Sequence, residues 1–290
     1  MPRSKNRFIA YLILLINTAI WGLSSPIIKY AFQFTSPLQF LFFRYLIAAA
    51  VFLPIFLLYR SRHQVKIHHL QTVILAFIGT PLCLIPLFYG LNQTTALEAS
   101  ILEASSPIFT IIMAVIFLKD KLQPKELKGL LIAIAGTAMI ALEPIITGHN
   151  HVQLSVEGNL LIIISNIAWT IFLLLSKKYK TDPVYLSFYS FVISIPIFFL
   201  LICSQNNSFS LDLRALPSIL YMAIFGSIIA FWTYLEGQKR IEASEAAVFT
   251  YLKPLFAIPL SILWLHESFS PVAIIATALI AVGVYTSESR

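Results

Sequence analysis

The amino-acid sequence predicts an all-α integral membrane protein, with ten transmembrane helices arranged as two inverted five-helix repeats. Three observations predict this fold class: the composition, the length of the uncharged runs and an internal repeat. Of the 290 residues, 58% are hydrophobic and only 11% are charged, whereas soluble domains carry about a quarter charged residues. A soluble fold of this length could not hide so much apolar surface, so we expect a lipid bilayer around it.

Uncharged runs give the positions of the spans. Several stretches hold no Asp, Glu, Lys or Arg over about 20 residues, which is the length that an α-helix needs to cross a bilayer. The first run follows a basic segment, but it exceeds the roughly 7–15 apolar residues of a signal peptide, so we interpret it as an uncleaved span. Short polar connections separate ten predicted spans, numbered 1 to 10 in chain order: about residues 8–30, 37–59, 70–91, 95–118, 126–143, 157–177, 184–203, 214–236, 243–265 and 270–287.

Basic residues are concentrated in alternate connections. Of the 20 Lys and Arg residues, 16 lie in the N-terminal segment, in the connections after spans 2, 4, 6 and 8, and at the C-terminal residue. The positive-inside rule predicts that both termini are cytoplasmic, in a multi-pass protein of the cell (inner or plasma) membrane. The same distribution argues against nucleic acid as the reason for the net charge of +7. Both cysteines, Cys83 and Cys203, fall inside apolar spans, which indicates neither a disulfide framework nor a thiol metal site.

An internal repeat relates the two halves of the chain. Each half holds five spans, and because five is odd the second half must enter the membrane from the opposite side. The charge bias inverts accordingly, since residues 119–128 hold four lysines and the equivalent residues 266–275 hold no Lys or Arg. We therefore predict an inverted repeat with residues 1–147 and 148–290 as its units. A shift of 147 positions gives twelve identities between residues 76–136 and the second half, including Gly79/Gly226, Gly90/Gly237, Glu98/Glu245, Pro107/Pro254 and Gly136/Gly283.

Two ionisable residues inside the spans are the main site candidates, because inverted-repeat transporters bind substrate near mid-membrane between the repeats. Glu103 in span 4 and Lys253 in span 9 lie roughly 12 and 15 Å along their spans, where an unpaired charge costs several kcal/mol. Ser106 shares the helix face of Glu103, and Thr250 occupies the equivalent face beside Lys253. An acid and a base on opposite walls would suit a zwitterion, with Lys253 receiving a carboxylate and Glu103 an ammonium group or a transported proton. The alternatives are a structural ion pair, or two side chains that extend separately towards the interfaces.

Other polar and aromatic residues in the spans are weaker candidates. A buried arginine could reach the cavity or extend outward, while asparagines and aromatic rings could line a pocket with hydrogen bonds and apolar walls. These candidates are Arg44, Asn17, Trp21, Asn166, Trp169, Tyr89, Tyr234 and Tyr251. Proline directly after Ser106 and after Lys253 also predicts kinks in spans 4 and 9, each leaving a backbone carbonyl for water or ligand.

Known catalytic and nucleotide motifs do not occur in the sequence. It contains no P-loop, no ATPase partner motif and no nucleophile elbow. We therefore expect no enzymatic activity, no cofactor and no use of ATP, so that any uphill transport would draw on an ion or substrate gradient. His149 and His151 resemble a metal pair, but that spacing is common by chance and we expect no metal site.

Several stretches of the two halves resemble the EamA unit of the drug/metabolite transporter superfamily. In the first half these are WGLSSPIIK from Trp21, the span around Arg44, and ASILEASSPIFT from Ala99 continuing through FLKDKLQP. In the second half they are AAVFTYLKPLFA from Ala246 and WLHESFSP from Trp264, with Lys119 and His266 in place of the family's usual glycine. The resemblance implies ten helices around a central cavity, cytoplasmic termini, and transport of small metabolites, often export of amino acids and related compounds.

These observations favour a secondary transporter of a small polar metabolite, working as an exporter of an amino acid or related zwitterion by alternating access. Some relatives in the superfamily exchange nucleotide sugars or phosphates, so an exchanger of organic anions, with Lys253 and Arg44 as anion ligands, is an alternative. A channel and a membrane-embedded enzyme are alternatives of other classes. Proton coupling is left open, and so is the choice between monomer and homodimer. Small residues that permit close helix contacts within or between protomers are Gly129, Ala133, Gly136, Ala276 and Gly283.

Overall fold

A computed structural model describes residues 3–113, 124–143, 145, 155–205, 209–241 and 249–288, and every regular element among them is helical. The helical segments are assigned to spans as follows: span 1, Arg3–Gly22 and Ser24–Ala31; span 2, Pro37–Arg62; span 3, His69–Phe77, Ile78–Leu82 and Cys83–Gln93; span 4, Ala96–Ala104 and Ser106–Met113; span 5, Pro124–Ala141; span 6, Val156–Lys178; span 7, Pro183–Ser204; span 8, Leu216–Tyr221, Met222–Ile229 and Ala230–Arg240; span 9, Phe249–Leu252 and Lys253–Leu265; span 10, Pro271–Glu288.

Helix length and composition confirm an all-α membrane protein. Six spans are long and apolar enough to cross a bilayer: Arg7–Ala31, Pro37–Arg62, His69–Gln93, Val156–Lys178, Pro183–Ser204 and Leu216–Arg240. Spans 5, 9 and 10 contain shorter apolar helices, and the described part of span 4 ends at Met113. Within the described residues, the six long spans are therefore the first three of each repeat.

Capping residues define where equivalent spans begin. At the start of span 2, Ser36 and Gln39 form a reciprocal capping box, in which each side chain accepts a hydrogen bond from the backbone N–H of the other. At the start of span 7, the Asp182 carboxylate accepts hydrogen bonds from two backbone N–H groups. Both spans then have proline at the first helical positions, where its missing N–H costs nothing. The second span of each repeat thus starts in the same way with different residues.

The packing of the spans follows a pseudo-two-fold relation between the halves. Spans 2 and 7, spans 4 and 9, and spans 5 and 10 pack against each other, and each pair consists of repeat equivalents. Span 1 packs against span 8, and span 3 packs against span 6. Because span 1 is equivalent to span 6 and span 8 to span 3, the relation between the halves converts one of these pairs into the other. This is the packing expected of an inverted repeat.

Irregular helical segments also occur at repeat-equivalent positions. Spans 3 and 8 contain the π-helical segments Ile78–Leu82 and Met222–Ile229, and the shift of 147 places the first inside the second. Span 4 is interrupted at Ser105, and span 9 changes from a 3₁₀ turn to an α-helix at Lys253. Each of these two breaks lies within two residues of a proline, whose ring and missing N–H disrupt the preceding turn. The sequence predicted the proline breaks but not the π segments.

The small residues of spans 5 and 10 pack against each other inside the monomer. A Cβ atom added at Gly136 would lie 2.8 Å from the backbone oxygen of Ala276. One added at Gly283 would lie 2.5 Å from the backbone nitrogen of Ala133 and 2.6 Å from the oxygen of Gly129. Glycine is therefore required for the close approach of these two helices.

Candidate functional site

A cavity of about 90 Å³ lies between the two repeats and is lined by residues of spans 1, 2, 3, 4, 6, 8 and 9. In span 1 the lining runs from Trp21 to Ile28, and in span 3 it runs from Gly79 to Leu91. The cavity therefore extends from mid-depth towards the end of the bundle that lies away from the basic connections. Its volume is well below the roughly 300–1,000 Å³ of drug-sized pockets, so it suits a small metabolite.

An ion pair between the repeats lies on the cavity wall. The Lys253 Nζ is 3.1 Å from the Glu103 Oε2, and both side chains are only 13% exposed. Ser25 Oγ donates a hydrogen bond to the other carboxylate oxygen at 3.2 Å, and the Lys253 ammonium lies 5.2 Å from the centre of the Trp21 ring. Gly22 allows this arrangement, because a Cβ there would lie 2.8 Å from the Lys253 carbonyl oxygen. Each charge thus neutralises the other across the interface between the repeats.

Arg44 adds a second buried cation to the cavity. Its side chain is 5% exposed, and its Nε donates to Ser227 Oγ at 2.7 Å. The guanidinium carbon lies 5.1 Å from the Tyr45 ring centre and 5.8 Å from that of Phe88, within range of a cation–π attraction. Throughout the described part of the chain, no carboxylate forms an ion pair with Arg44. The three ionised groups that line the cavity therefore carry a net positive charge.

The π-helical segment of span 8 supplies a backbone acceptor to the site. The Gly226 carbonyl accepts hydrogen bonds from Trp21 Nε1 at 3.0 Å and from the Arg44 guanidinium at 3.4 Å. A π-helical turn changes the normal i→i−4 pattern and leaves groups for such contacts, which is why these turns are frequent at functional sites. Span 8 thus positions both an aromatic and a cationic side chain.

An aromatic cluster closes the cavity towards the basic connections. The rings of Trp21 in span 1 and Trp169 in span 6, which a repeat shift of 148 positions relates, together with Lys29 and Lys177, lie 5.4 Å apart, edge to face. Trp21 is also 5.4 Å from Tyr234, and Trp169 is 5.1 Å from Phe172 and 6.2 Å from Phe231. Spans 1, 6 and 8 therefore meet through these rings on the side of the cavity that faces the basic connections.

Comparison with known proteins identifies the family. The EamA-like transporter family matches residues 8–142 and, a second time, residues 156–287. The chain belongs to the EamA-like transporter family. This is a family of membrane transporters, and the apolar spans make the chain a multi-pass membrane protein.

Individual proteins similar to this EamA-like transporter include bacterial, archaeal and plant chains. It is 25% identical to YyaM of Bacillus subtilis, an uncharacterized transporter, over 96% of this chain and 93% of that protein. It is 26% identical to an uncharacterized transporter of Archaeoglobus fulgidus, over 95% and 97% of the two chains. A WAT1-related chloroplastic protein of Arabidopsis thaliana is 24% identical, over 96% of this chain and 69% of the plant protein.

One solved crystal structure supports the fold of the EamA-like transporter. It superposes with a TM-score of 0.71 at 17% sequence identity, and the alignment covers 99% of this chain and 97% of the other. At this identity the match concerns the fold alone.

Most of the predicted site residues of the EamA-like transporter line its cavity. They are Lys253, Glu103, Ser106, Trp21, Asn166, Trp169 and Arg44. Asn166 also donates from Nδ2 to the Leu102 carbonyl at 2.7 Å, one residue before Glu103, so it holds span 6 against the acidic wall.

The remaining predicted site residues lie elsewhere. The Asn17 side chain is buried and donates from Nδ2 to a span 8 carbonyl at 2.6 Å, outside the cavity lining. Thr250 is buried in the 3₁₀ turn before Lys253. Tyr89 lies near the end of span 3, where its hydroxyl accepts a hydrogen bond from Gln205. The side chain of Tyr251 lies outside the described part of the structure.

Several cavity residues were not predicted from the sequence. Ser24 and Ser25 follow Trp21 by three and four positions, a spacing that places all three on one helix face. Ser165 precedes Asn166, and its hydroxyl lies 3.3 Å from the buried Cys83 thiol. The helical spacing from Trp21 was the signal that could have identified the two serines of span 1.

Two lysines of the EamA-like transporter have structural partners away from the cavity. Lys29 Nζ donates to three carbonyls at the end of span 3, including that of Thr94 at 2.5 Å. Lys177 Nζ donates to the Ile241 carbonyl at 2.8 Å, and Ile241 is the repeat equivalent of Thr94. Within the described residues no group of three or more His, Cys, Asp or Glu side chains is placed to hold a metal ion.

Proposed function

We propose that this EamA-like transporter is a secondary carrier of a small metabolite bearing both a carboxylate and an ammonium group. The observation that carries the proposal is the Lys253–Glu103 pair, which joins the two repeats on the cavity wall at 3.1 Å. A zwitterion entering the cavity would replace this contact, with its carboxylate on Lys253 and its ammonium on Glu103. Because both the empty and the loaded states keep these charges paired, neither state bears the several kcal/mol cost of an isolated buried charge.

The position of the cavity supports alternating access. Under the positive-inside rule the basic connections are cytoplasmic, so the cavity extends towards the outside and the Trp21–Trp169–Tyr234 cluster closes the cytoplasmic side. Because Trp21 and Trp169 are equivalent residues of inverted repeats, an exchange of conformations between the repeats would open this cluster and close the opposite side. The resemblance to the drug/metabolite transporter superfamily, which implies transport of small metabolites and often export of amino acids, makes outward movement the expected direction.

Arg44 favours a second candidate, a carrier of organic anions. This buried guanidinium has hydrogen bonds to Ser227 and Gly226, but no carboxylate partner among the described residues. A second carboxylate or a phosphate on the substrate would supply the missing charge, and arginine is well suited to bind either group.

A ligand screen by thermal unfolding tests both candidates. A ligand that binds only the folded state raises the melting temperature of the protein. The purified protein is therefore screened against zwitterionic amino acids, dicarboxylates, nucleotides and inorganic phosphate. We expect a zwitterion to stabilise the wild type and to lose this effect in Lys253→Met and in Glu103→Gln, while Arg44→Gln keeps it. An organic-anion carrier instead responds to anions and loses the response in Arg44→Gln.

A matched control separates the site from a general effect of lysine removal. Lys239 is 44% exposed and forms a surface ion pair with Glu236 at 4.0 Å, so Lys239→Met should retain the ligand response. An unchanged response in the Lys253→Met, Glu103→Gln and Arg44→Gln variants would contradict the proposed site.

Glu103 is also the proposed proton carrier if transport is coupled to a proton gradient. In this alternative the substrate carboxylate binds the Lys253 ammonium group, and Glu103 holds a transported proton instead of the substrate's ammonium group. In this alternative Glu103→Gln keeps the ligand response, and in proteoliposomes with an imposed pH gradient we expect it to abolish concentrative transport while exchange at equal pH persists. Concentrative transport by this variant would refute proton coupling at Glu103.

A further inference from the structure

A second cavity lies outside the central site, on the surface of the helical bundle. It is a groove of about 490 Å³ between spans 2, 3 and 7. One end carries the polar side chains of Arg60, His69 and Tyr189, while the rest is aliphatic or aromatic. Two of its apolar residues, Val73 and Val192, are 36% and 42% exposed, so the groove opens sideways. In a membrane protein such a surface contacts lipid.

The groove runs from the helix ends into the hydrocarbon layer. Arg60 lies in the last turn of span 2, and His69 is the first residue of span 3. The lining continues along span 7 to Ile193, which is ten residues from the start of that span at Pro183 and therefore about 15 Å deep. This depth is about half of a hydrocarbon core of roughly 30 Å. The polar end thus lies at headgroup level, and the apolar end lies at acyl-chain level.

The polar end combines a fixed positive charge with hydrogen-bonding groups. The His69 Nδ1 lies 2.5 Å from the Tyr189 hydroxyl, and Arg60 is exposed beside them. The connection at residues 60–69 contains Arg60, two other basic residues and three histidines, but no Asp or Glu. Two acids lie near Tyr59, the residue before Arg60. Asp182 accepts a hydrogen bond from the Tyr59 hydroxyl at 2.9 Å and caps the N-terminus of span 7, and Glu236 pairs with Lys239 and Arg240. The charge of this end is therefore left for an external anion.

The apolar floor of the groove is a rigid pair of aromatic rings. Phe56 and Phe188 stack with their centres 3.9 Å apart and their planes 7° from parallel. Such a flat surface leaves space above it that no side chain fills. Because no water is present at this depth to occupy an apolar groove, an acyl chain is the natural occupant.

The symmetry-related end of the bundle has a different composition. The equivalent region between spans 2, 7 and 8 holds Phe42, Phe199 and Phe209, whose rings lie 4.9–6.1 Å apart. The connection there, residues 205–214, contains one Asp and one Arg, and these two pair with each other at 2.6 Å. The cationic groove is therefore a feature of one membrane face and not a consequence of the repeat.

We propose that the groove between spans 2, 3 and 7 binds an anionic phospholipid of the surrounding leaflet. The phosphate contacts the Arg60 guanidinium and accepts a hydrogen bond from the His69–Tyr189 pair, whose other proton lies between the two groups, and one acyl chain lies along Phe188 and Val192. Arginine and neighbouring hydroxyl donors suit a phosphate oxyanion, and basic pockets between helices on the cytoplasmic face are known places for anionic headgroups. The lipid would join span 2, which carries Arg44, to spans 3 and 7.

The test measures lipid binding to the purified full-length protein in detergent. Phosphatidylglycerol is titrated in mixed micelles, bound lipid is counted by native mass spectrometry, and the melting temperature is recorded; phosphatidylcholine and inorganic phosphate are the comparison ligands. We expect phosphatidylglycerol to bind and to raise the melting temperature, with little effect of the other two. Arg60→Gln should weaken the apparent affinity about fivefold, which corresponds to the roughly 1 kcal/mol expected per basic residue at an anionic surface.

Arg62→Gln is the matched control for this experiment. Arg62 is exposed on the same last turn of span 2 but does not line the groove, so its replacement should leave the affinity unchanged. If Arg60→Gln does not fold, Tyr189→Phe is the second variant. It removes only one hydroxyl and is also expected to weaken phosphatidylglycerol binding. Equal binding of phosphatidylcholine, or equal losses in Arg60→Gln and Arg62→Gln, would overturn the proposal. A melting shift with inorganic phosphate alone would also overturn it, since it would mean that no acyl chain is needed.

Discussion

The Lys253→Met substitution tests the ion pair that joins the two repeats. It keeps an unbranched apolar side chain of similar length but leaves Glu103 without the ammonium group 3.1 Å away. At an effective dielectric constant of about 20, two unit charges at this separation attract each other by about 5 kcal/mol. Removing one member of a buried pair costs roughly 3–5 kcal/mol, because the other charge stays in a poorly solvated place. Since both side chains keep 13% of their surface exposed, we expect the lower figure, about 3 kcal/mol.

The assay is thermal unfolding of the purified variants in detergent micelles. For a chain of this size, a loss of 1 kcal/mol in the free energy of unfolding lowers the melting temperature by about 2–4 °C. The expected loss of about 3 kcal/mol therefore lowers it by about 6–12 °C. In the double variant Lys253→Met/Glu103→Gln neither position of the pair is charged, so it should recover most of this loss and give a coupling energy of about 2 kcal/mol. Lys239→Met serves as the control, because its partner lies at 4.0 Å on the surface and such pairs contribute less than about 1 kcal/mol.

The double-mutant cycle also has a clear negative outcome. If the losses of Lys253→Met and Glu103→Gln simply add in the double variant, the two groups do not interact in the folded protein. The proposal that substrate is recognised by replacing the contact between Lys253 and Glu103 would then be wrong.

Three further predictions concern packing, a helix cap and pH. Gly283→Ala places a Cβ 2.5 Å from a backbone nitrogen of span 5, whereas the Cβ of Gly226→Ala meets a flexible methionine side chain. Gly283→Ala should therefore lower the free energy of unfolding by about 1–3 kcal/mol, and Gly226→Ala should lower it by less. A larger loss in Gly226→Ala than in Gly283→Ala would contradict the packing. Glu267→Gln weakens an acceptor for two backbone N–H groups of span 4 at 2.8 and 2.9 Å, and should cost about 1–2 kcal/mol; an unchanged melting temperature would show that the cap contributes nothing. Hydrogen bonding from Arg214 lowers the pKa of Asp212 from 3.8 to about 2. The stabilisation that this pair contributes is therefore present above about pH 4 and is lost as the pH falls towards 2. Between pH 5 and 8 the difference in melting temperature between wild type and Asp212→Asn should stay constant, and a change in that difference would refute this.

Much of the fold follows from local sequence patterns. Uncharged runs have the length that a bilayer requires, and the inverted charge bias of the two halves indicates their opposite entry into the membrane. The breaks before Pro107 and Pro254 were also predicted, because proline acts within one turn of its own position. These features depend on neighbours in the chain, which a single sequence displays.

Features that depend on distant contacts were not predictable. The π segment Met222–Ile229 presents its Gly226 carbonyl to Trp21 and Arg44, which are about 200 positions away in the chain. Asn17 shares a helix face with Trp21, but its amide donates to a span 8 carbonyl instead of lining the cavity. Periodicity gives the face of a helix, whereas only packing decides which neighbour that face meets.

The candidate site illustrates the same limit. The repeat equivalence of Ser106 and Lys253 placed Glu103 and Lys253 on facing walls, and the structure brings their charged atoms within 3.1 Å. The sequence left both a substrate site and a structural ion pair open, and this geometry is compatible with each. A flux measurement distinguishes the substrate site from the structural ion pair.

Flux measurements in proteoliposomes test the central claim most directly, once the screen has provided a stabilising ligand. The comparison is between wild type and Lys253→Met/Glu103→Gln, a variant that should fold because neither member of the pair is left charged without the other. We predict uptake by the wild type that saturates and is inhibited by unlabelled substrate, and no uptake by the double variant. Flux that rises linearly with concentration, or equal uptake by both proteins, would contradict a carrier that recognises its substrate through this ion pair.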